Sequence, residues 1–256
     1  MAKIKMGGLE NTPEARLQRA RKRARDVDSL INLRGKRVLE IGCGAGDVSR
    51  VIADEYDCDV VALDVTRHND WGDHRLPNLM FQVADISEQT QMFPDNSFDR
   101  IVSFVTWEHL RHPWSALASC QKFLKPDGKK YLYSWLYGSA GASHLYGITD
   151  DHWPHLVCSP SEVKEKYGLK ELPWYFWCNR VSYQQYLFYF RQLGFFVTYE
   201  YLIQETFDDD EYRKNEEILS LYPNWDLRTD GFQVVLEFDK FYPKKTIGDP
   251  VYRLKK

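Results

Sequence analysis

The stretch "VLEIGCGAGDVS", residues 38–49, decides how this chain folds. An apolar, β-branched run ends at residue 41, and three glycines follow at every second position: Gly42, Gly44 and Gly46. Glycine adopts positive φ angles without strain and lets another molecule approach the backbone closely. The stretch predicts a strand that runs into a tight loop. A ligand-binding loop and an ordinary strand-to-helix turn both remain open as interpretations of the glycines.

Segments typical of strands and helices alternate along the rest of the chain. The glycines are followed by a helical stretch to about residue 55, "DVVALD", "LMFQVAD", "FDRIVSF", a helix over residues 108–124, a turn at "KPDG", and "KKYLYSW". A helix capped by Ser182 and ended by Gly194 precedes two further strands, "FFVTYEYL" and "FQVVLEFD". Strands that alternate with helices form crossover units of a parallel sheet. The pattern predicts an α/β fold with seven strands.

We predict one N-terminal helix and one large domain. Residues 1–35 hold a helix that starts after Thr12, and we interpret its basic face as solvated in preference to a nucleic-acid arm. Residues 36–256 form the domain. Within it, residues 136–180 are rich in Gly, His, Trp and Pro and predict an insertion that forms a lid over the carboxyl edge of the sheet. Residues 205–230 are acidic and predict a solvated loop and helix.

Composition limits the class of protein. The 256 residues are 43% hydrophobic with a net charge of -3, so there is no global attraction to nucleic acid or to an anionic membrane. The first ten residues lack an apolar core, and the longest uncharged run, residues 131–149, is too polar for a membrane span. Five scattered cysteines form no C-x-x-C pair, so we expect no metal site and a cytoplasmic location. Whether the protein forms a homodimer stays open.

Carboxylates lie in or at the end of three predicted strands, at Glu40, Asp64 and Asp85. Ligands of open parallel sheets bind outside the carboxyl ends of the strands, so we expect all three acids around one crevice. Asp64 follows the first acid at a spacing close to the roughly 20 residues that separate a cofactor loop from a ribose-binding acid. A helix N-cap or a turn residue is the alternative role for Asp64.

The glycine loop is a poor match for a phosphate site. A dinucleotide motif, G-x-G-x-x-G, that starts at Gly42 has Asp47 in its sixth position, and one that starts at Gly44 has Ser49 there. An acid at that position repels pyrophosphate. A ligand with an adenosine part and a cationic amino-acid end explains both Asp47 and Glu40, and S-adenosylmethionine has those features.

A series of motifs from about residue 36 to 135 supports the same ligand. They are "LEIGCGAG", Asp64, "VADISE", "FPDNSFDRIVS", "WEHL" and "FLKPDGK". In order and spacing they resemble the class I S-adenosylmethionine-dependent methyltransferases, particularly the group with a type-11 methyltransferase domain; Asp127 stands where that group usually has a second glycine. The resemblance implies a Rossmann-like, doubly wound, mostly parallel seven-stranded sheet with helices on both faces. It also implies S-adenosylmethionine as cofactor and S-adenosylhomocysteine as product.

The resemblance further implies which residues hold the cofactor. The glycine loop lies under the methionine part, with Glu40 and Asp47 around its amino end. Asp64 binds the ribose, and Asp85 with its neighbour contacts the adenine. The implied set is Glu40, Gly42, Cys43, Gly44, Gly46, Asp47, Asp64, Val65, Asp85 and Ile86.

Methyl transfer from a sulfonium is an in-line displacement, so the protein has to hold an acceptor atom about 3–3.5 Å from the methyl group in a dry pocket. A hydroxyl acceptor benefits from a base, and histidine is the usual one at neutral pH. We predict His155 first and His109 second, although a single histidine is more often structural. The predicted acceptor contacts are Trp107, Tyr137, His144, His152, Trp153 and Arg180.

The segment after the fourth strand helps to choose the acceptor. It reads "FVTWEH", with neither the [DNS]-P-P-[YFW] motif of adenine N-methylation nor the Pro-Cys of cytosine C5-methylation. We therefore predict O-methylation of a small molecule or a sugar, as in glycan biosynthesis, with N-methylation next and a lipid or quinone acceptor as a further alternative.

Two other classes of function stay open. A non-catalytic scaffold of the same fold is one, but a scaffold has no need of the ribose-binding acids Asp64 and Asp85. An RNA-directed methyltransferase that uses the basic N-terminal helix is the other, and its binding would weaken steeply with salt.

Overall fold

The computed structural model of the chain describes residues 12–73 and 75–238. The strands are β1 (Arg37–Ile41), β2 (Asp59–Asp64), β3 (Leu79–Val83), β4 (Phe98–Phe104), β5 (Leu124–Trp135), β6 (Phe195–Ile203) and β7 (Gly231–Phe238). The helices are α1 (Pro13–Ile31), α2 (Asp47–Glu55), α3 (Pro113–Phe123), α4 (Pro154–Val157), α5 (Pro160–Lys166), α6 (Tyr183–Gln192), α7 (Asp209–Lys214), α8 (Glu216–Leu219) and α9 (Asn224–Arg228). Short 3₁₀ turns lie at Asn69–Asp73, Trp107–His109 and Trp174–Phe176.

The strands form one sheet in the order β3-β2-β1-β4-β5-β7-β6. The first five are parallel to one another, and β7 pairs antiparallel with both β5 and β6. The predicted seven-stranded, mostly parallel sheet is confirmed. Because the chain runs outward in opposite directions from β1 and β4, the order switches between these two strands. A crevice at their carboxyl ends is where an open α/β sheet binds its ligand.

Both faces of the sheet are covered, which explains why its central strands are apolar along their whole length. Successive side chains of a strand point to opposite faces. Accordingly, Leu39 of β1 packs in the apolar cluster that includes α3 and α6. Its neighbour Val38 packs in the cluster that includes α1 and α2.

Helix α1 begins where the sequence predicts. Thr12 caps it, because its hydroxyl oxygen accepts a hydrogen bond from the Ala15 amide at 3.2 Å. Ala24 and Val27 are buried against the sheet.

No helix in the described residues has the length and apolar character that crossing a bilayer requires.

Two predicted boundaries are wrong. Helix α3 begins at Pro113, not at residue 108, and residues 107–109 form a separate turn. Proline disfavours a helical conformation in the residue before it, and His112 is accordingly non-helical, with φ -128° and ψ 67°. The predicted turn at "KPDG" lies inside β5, where the register with β4 shifts between Phe98 and Arg100. The extra residues form a bulge instead of a turn.

The acidic segment over residues 205–230 is less solvated than its composition suggests. It contains α7, α8 and α9, and each of the last two buries one leucine, Leu219 and Leu227. These leucines pack with Ala140, Trp153 and Leu156 in a small apolar cluster. The segment therefore shares a core with the first part of the insertion predicted over residues 136–180.

Candidate functional site

The first residues of the glycine loop lie between the ends of β2 and β4. The amides of Gly42 and Cys43 both donate to the Leu63 carbonyl, at 2.8 and 2.9 Å. Gly42 has φ +73°, and a Cβ there would lie 2.1 Å from the Thr106 hydroxyl oxygen. Only glycine fits between β2 and the end of β4.

Further along, the loop presents bare backbone. Gly44 has φ +54°, and a Cβ at that position would meet nothing within 4 Å. Gly46, with φ +87°, is the N-cap of α2. Gly42 is therefore needed for close packing, whereas Gly44 leaves open space in which a ligand can approach the main chain.

Asp64 joins the loop to β2. One carboxylate oxygen accepts from the Gly44 amide at 2.8 Å, and the other accepts from the Thr66 amide at 3.0 Å. A carboxylate offers about four lone-pair sites, so Asp64 retains capacity for further donors such as ribose hydroxyls. Val65, directly after it, is 62% exposed and offers an apolar surface.

Asp85 lies at the corresponding place after β3. Its carboxylate accepts from the amide and the hydroxyl of Ser87, at 2.8 and 2.6 Å. The intervening Ile86 is buried. The structure thus brings Asp64 and Asp85 to the carboxyl ends of two adjacent strands, as the sequence predicts.

Glu40 is buried in β1, two residues before the loop. Its carboxylate accepts a short hydrogen bond from the Ser49 hydroxyl in α2. Burial raises the pKa of Glu40 to about 7. None of the salt bridges formed among the described residues includes Glu40. A cationic group next to it would favour the charged carboxylate.

Asp47, in the first turn of α2, pairs with an arginine of α1. The Arg16 guanidinium of α1 donates to both of its carboxylate oxygens, at 2.8 and 3.0 Å, and to Asp70 at 2.9 Å. These hydrogen bonds raise the pKa of Arg16. The basic face of α1 is therefore not wholly solvated. One of its arginines ties α1 to the first turn of α2 and to the turn after β2.

Trp71 is a part of the site that the sequence analysis missed. Its indole N–H donates to the Gly44 carbonyl at 2.8 Å, and its ring stacks on Phe81 with the ring centres 4.9 Å apart. The residue is buried although its neighbours in the sequence are polar. A single tryptophan in a polar turn was the available signal.

The end of β4 carries backbone strain beside the loop. Val105 has φ +52°, a conformation that β-branched residues rarely adopt and that costs about 1–3 kcal/mol. Its amide donates to the Tyr133 carbonyl of β5 at 2.8 Å. The strained residue positions Thr106 against Gly42 and starts the turn that holds His109.

The histidines occupy different surroundings. His109 is partly exposed, its Nδ1 lies 2.9 Å from the Trp177 carbonyl, and burial lowers its pKa. His155 is 9% exposed, its Nε2 lies 2.8 Å from the Tyr137 carbonyl, and burial lowers its pKa to about 4. His144 packs edge-on against His109, with 4.9 Å between ring centres, and burial lowers its pKa to about 3. His152 is buried beside Trp153.

The aromatic residues expected to contact an acceptor divide into two groups. Trp107 and Trp153 have no exposed surface, and the Trp153 indole donates to the Gly138 carbonyl at 2.9 Å. Full burial is inconsistent with direct acceptor contact in this conformation. Tyr137 is only partly buried, and the exposed Arg180 guanidinium lies 5.0 Å from its ring centre.

Arg180 also lines the wall of a groove. The groove has a volume of about 600 Å³ and runs between residues 111–115, at the start of α3, and residues 177–181. Tyr189 of α6 completes it. The groove is open and lies next to the turn that holds His109.

Comparison with known proteins agrees with this geometry. Residues 39–132 match the family described as a methyltransferase domain. A phosphoethanolamine N-methyltransferase of Triticum aestivum is 33% identical over 131 residues, which are 49% of this chain and 23% of that protein. A ubiquinone biosynthesis O-methyltransferase of Coxiella burnetii is 26% identical over 139 residues, 49% of this chain and 58% of that protein. The match spans less than two thirds of either relative.

The fold is shared over almost the whole chain. The PH0226 protein from Pyrococcus horikoshii superimposes with a TM-score of 0.59 at 16% identity, over 90% of this chain and 93% of that one. The matched family range begins in β1 and ends in β5, so it contains the glycine loop, Asp64 and Asp85. Residues 39–132 are therefore identified as a methyltransferase domain, and the rest of the chain shares its fold with the solved structure.

Proposed function

We propose that this chain is an enzyme that transfers a methyl group from S-adenosylmethionine to a hydroxyl oxygen of a small molecule or a sugar. The observation that carries the proposal is the junction of the glycine loop with Asp64, because the Gly44 amide donates to that carboxylate beside an open stretch of backbone. A scaffold has no physical need for such an arrangement.

The residues present fit the cofactor. The space above Gly44, which a Cβ would enter without contact, leaves room for the methionine part, and the buried Glu40 suits its ammonium group. Asp64 would accept from the ribose hydroxyls, with Val65 and the Asp85–Ile86 pair beside the adenine. Cys43 and Gly46 complete the loop. Asp47, held by Arg16, would act on the amino end through its charge.

When bound, S-adenosylmethionine supplies an electrophilic methyl group on its sulfonium. The chain has to orient the acceptor, exclude water and take the acceptor's proton. We propose His109 for the proton. Its Nδ1–H can donate to the Trp177 carbonyl, which leaves Nε2 as the acceptor of the proton. His155 is a weaker candidate than we expected, since its Nε2 faces a main-chain carbonyl and the residue is buried.

The choice of oxygen rests on this histidine and not on the relatives. One similar protein is named as an N-methyltransferase and another as an O-methyltransferase, and both match about the same half of this chain. A neutral histidine helps a hydroxyl, which is a weak nucleophile until it loses its proton. It helps a neutral amine less, because the amine can attack the methyl group before it loses a proton. We retain Tyr137, His144, His152 and Arg180 as the proposed acceptor contacts and leave out Trp107 and Trp153, which have no exposed surface.

Calorimetric titration tests the cofactor part of the proposal. S-adenosylmethionine and S-adenosylhomocysteine should each bind at one site per chain, and NAD should not bind. Binding of NAD alone would make the chain an oxidoreductase. No binding by any of the three would favour the scaffold alternative.

Paired histidine variants test the base. We expect His109→Gln to lower turnover of a hydroxyl acceptor by about 10²–10⁴-fold, the usual contribution of a general base, with the Kd for S-adenosylhomocysteine unchanged. His155→Gln should retain turnover. The reverse result would assign the proton transfer to His155, and normal turnover of both variants would remove histidine from the mechanism.

A further inference from the structure

We infer that His109, His144 and Cys178 form a binding site for a transition-metal ion of the zinc class. One ring nitrogen from each histidine and the Cys178 sulfur all lie within 4.8 Å of one another. This is the arrangement in which three side chains can bind one ion. It departs from the sequence analysis, which predicted no metal site.

The three ligands come from separate segments of the chain, so sequence spacing gave no sign of them. His109 ends the turn after β4, His144 lies in the insertion with φ +54°, and Cys178 follows the turn at Trp174–Phe176. An ion held by all three would fasten the insertion to the carboxyl edge of the sheet.

The surroundings of the histidines favour metal binding. His109 Nδ1 lies 2.9 Å from the Trp177 carbonyl. A ligating histidine usually donates its other ring N–H to a carbonyl or a carboxylate, which fixes the ring and leaves the second nitrogen with its lone pair. His144 Nε2 is buried and has no hydrogen-bond partner among the described residues. A buried polar atom without a partner costs free energy, and a ligand there would remove that cost.

The donor set selects the kind of metal. Two imidazole nitrogens and one thiolate suit zinc and similar ions, whereas magnesium and calcium prefer oxygen. Zinc binds histidine at about 2.0–2.1 Å and cysteine at about 2.3 Å, so the present spacing needs only small side-chain rotations. Binding converts the Cys178 thiol to a thiolate and releases its proton to solvent. Three protein ligands leave one tetrahedral position open.

A filled site would change the role of His109. One of its nitrogens would hold the metal while the other faces the Trp177 carbonyl, so neither would remain for proton transfer. We therefore expect zinc to inhibit O-methylation in proportion to its occupancy. This last expectation rests on the proposed function, whereas metal binding itself does not.

Cobalt absorption spectroscopy tests the site directly. The full chain, without an affinity tag and after treatment with a chelator, should bind Co²⁺ at one ion per chain. It should show tetrahedral d–d bands and a sulfur-to-cobalt charge-transfer band, both lost on addition of Zn²⁺. Cys178→Ser should abolish the charge-transfer band, and His144→Ala should weaken Co²⁺ binding by at least about 10-fold. Cys158→Ser, a change at a cysteine outside the cluster, should leave the spectrum unaltered.

The outcomes separate the two proposals. The absence of a charge-transfer band in the unsubstituted protein overturns the metal site, whatever the variants do. Loss of the band in Cys158→Ser and not in Cys178→Ser also overturns it. If Zn²⁺ binds with the expected ligands and methyl transfer continues at full rate, the metal site stands and the assignment of His109 as the base fails.

Discussion

At the scale of single residues, Glu40 gives the molecule a testable pH dependence. Burial raises its pKa to about 7 from an ordinary value of 4.5. The stability linked to the protonated form is fully present below pH 4.5 and is lost as the pH rises through 7. In the absence of cofactor, the free energy of unfolding should therefore fall by about 3 kcal/mol from this group over that interval, and Glu40→Gln should remove the fall. Urea unfolding at a series of pH values measures it.

The exposed Glu165 supplies a control for this experiment. Glu165→Gln should follow the unsubstituted protein at every pH. Parallel stability curves for the unsubstituted protein and Glu40→Gln would show that the buried carboxyl does not titrate in this range.

Asp64 should contribute directly to cofactor affinity. We expect Asp64→Ala to weaken binding of S-adenosylhomocysteine by about 1–3 kcal/mol, or roughly 5- to 150-fold, because a charged acceptor of hydrogen bonds is lost. Asp59→Ala is the matched control, since Asp59 starts the same strand at the opposite edge of the sheet. Equal affinity of the two variants in calorimetry would contradict the proposed ribose contact.

These residues differ in how far the sequence could predict them. The glycine loop and Asp64 are recognisable because each lies at a fixed place after a strand, and local order along the chain fixes that place. The partner of Asp47 could not be predicted, because Arg16 reaches it from a helix 31 residues away. The cluster of His109, His144 and Cys178 was missed for the same reason.

At the scale of elements, two glycines of the same loop differ in how much stability an alanine substitution should cost. Both Gly42 and Gly44 have positive φ, which costs an alanine roughly 1–2 kcal/mol. At Gly42 the new Cβ also overlaps the side chain of Thr106, a β-branched residue that cannot easily rotate away. We expect Gly42→Ala to be about 1–3 kcal/mol less stable than Gly44→Ala in urea unfolding. Equal stability would mean that the end of β4 can shift.

The elements themselves were predicted better than their ends. The apolar runs of the central strands are long enough to identify, whereas the start of α3 depends on Pro113 and the "KPDG" bulge depends on pairing with β4. The helical content of the segment over residues 205–230 was underestimated. Its two buried leucines are too few to produce a visible periodicity.

At the scale of the whole molecule, a second small core joins the insertion to the segment before β7. Leu219 is fully buried in it, and Leu221, two residues later, is 80% exposed. We expect Leu219→Ala to cost about 2–5 kcal/mol and Leu221→Ala to change stability by no more than about 0.5 kcal/mol. Limited proteolysis of Leu219→Ala should cut first within residues 136–157 or 216–228. Cleavage that begins in the sheet would show that the small core is not a separate unit.

The sheet as a whole was predictable in its class and not in its order. Alternation of strands and helices indicates a parallel sheet, and the first five strands follow that rule. Strand β7 is not the edge strand: it lies between β5 and β6 and is antiparallel to both. The apolar run of β7 is compatible with an inner strand, but it does not say which strands lie on either side.

The place of β7 has a consequence for synthesis on the ribosome. The sheet cannot close before residue 238 has been translated, because β7 is the only strand that pairs with β6 among the described residues. Until then β5 lacks one neighbour and β6 lacks any, while Phe196 and Tyr201 add exposed aromatic surface to β6. Unpaired strands with apolar side chains invite pairing with other chains. We therefore expect the nascent chain to be most prone to aggregation before β7 is available to pair with β5 and β6.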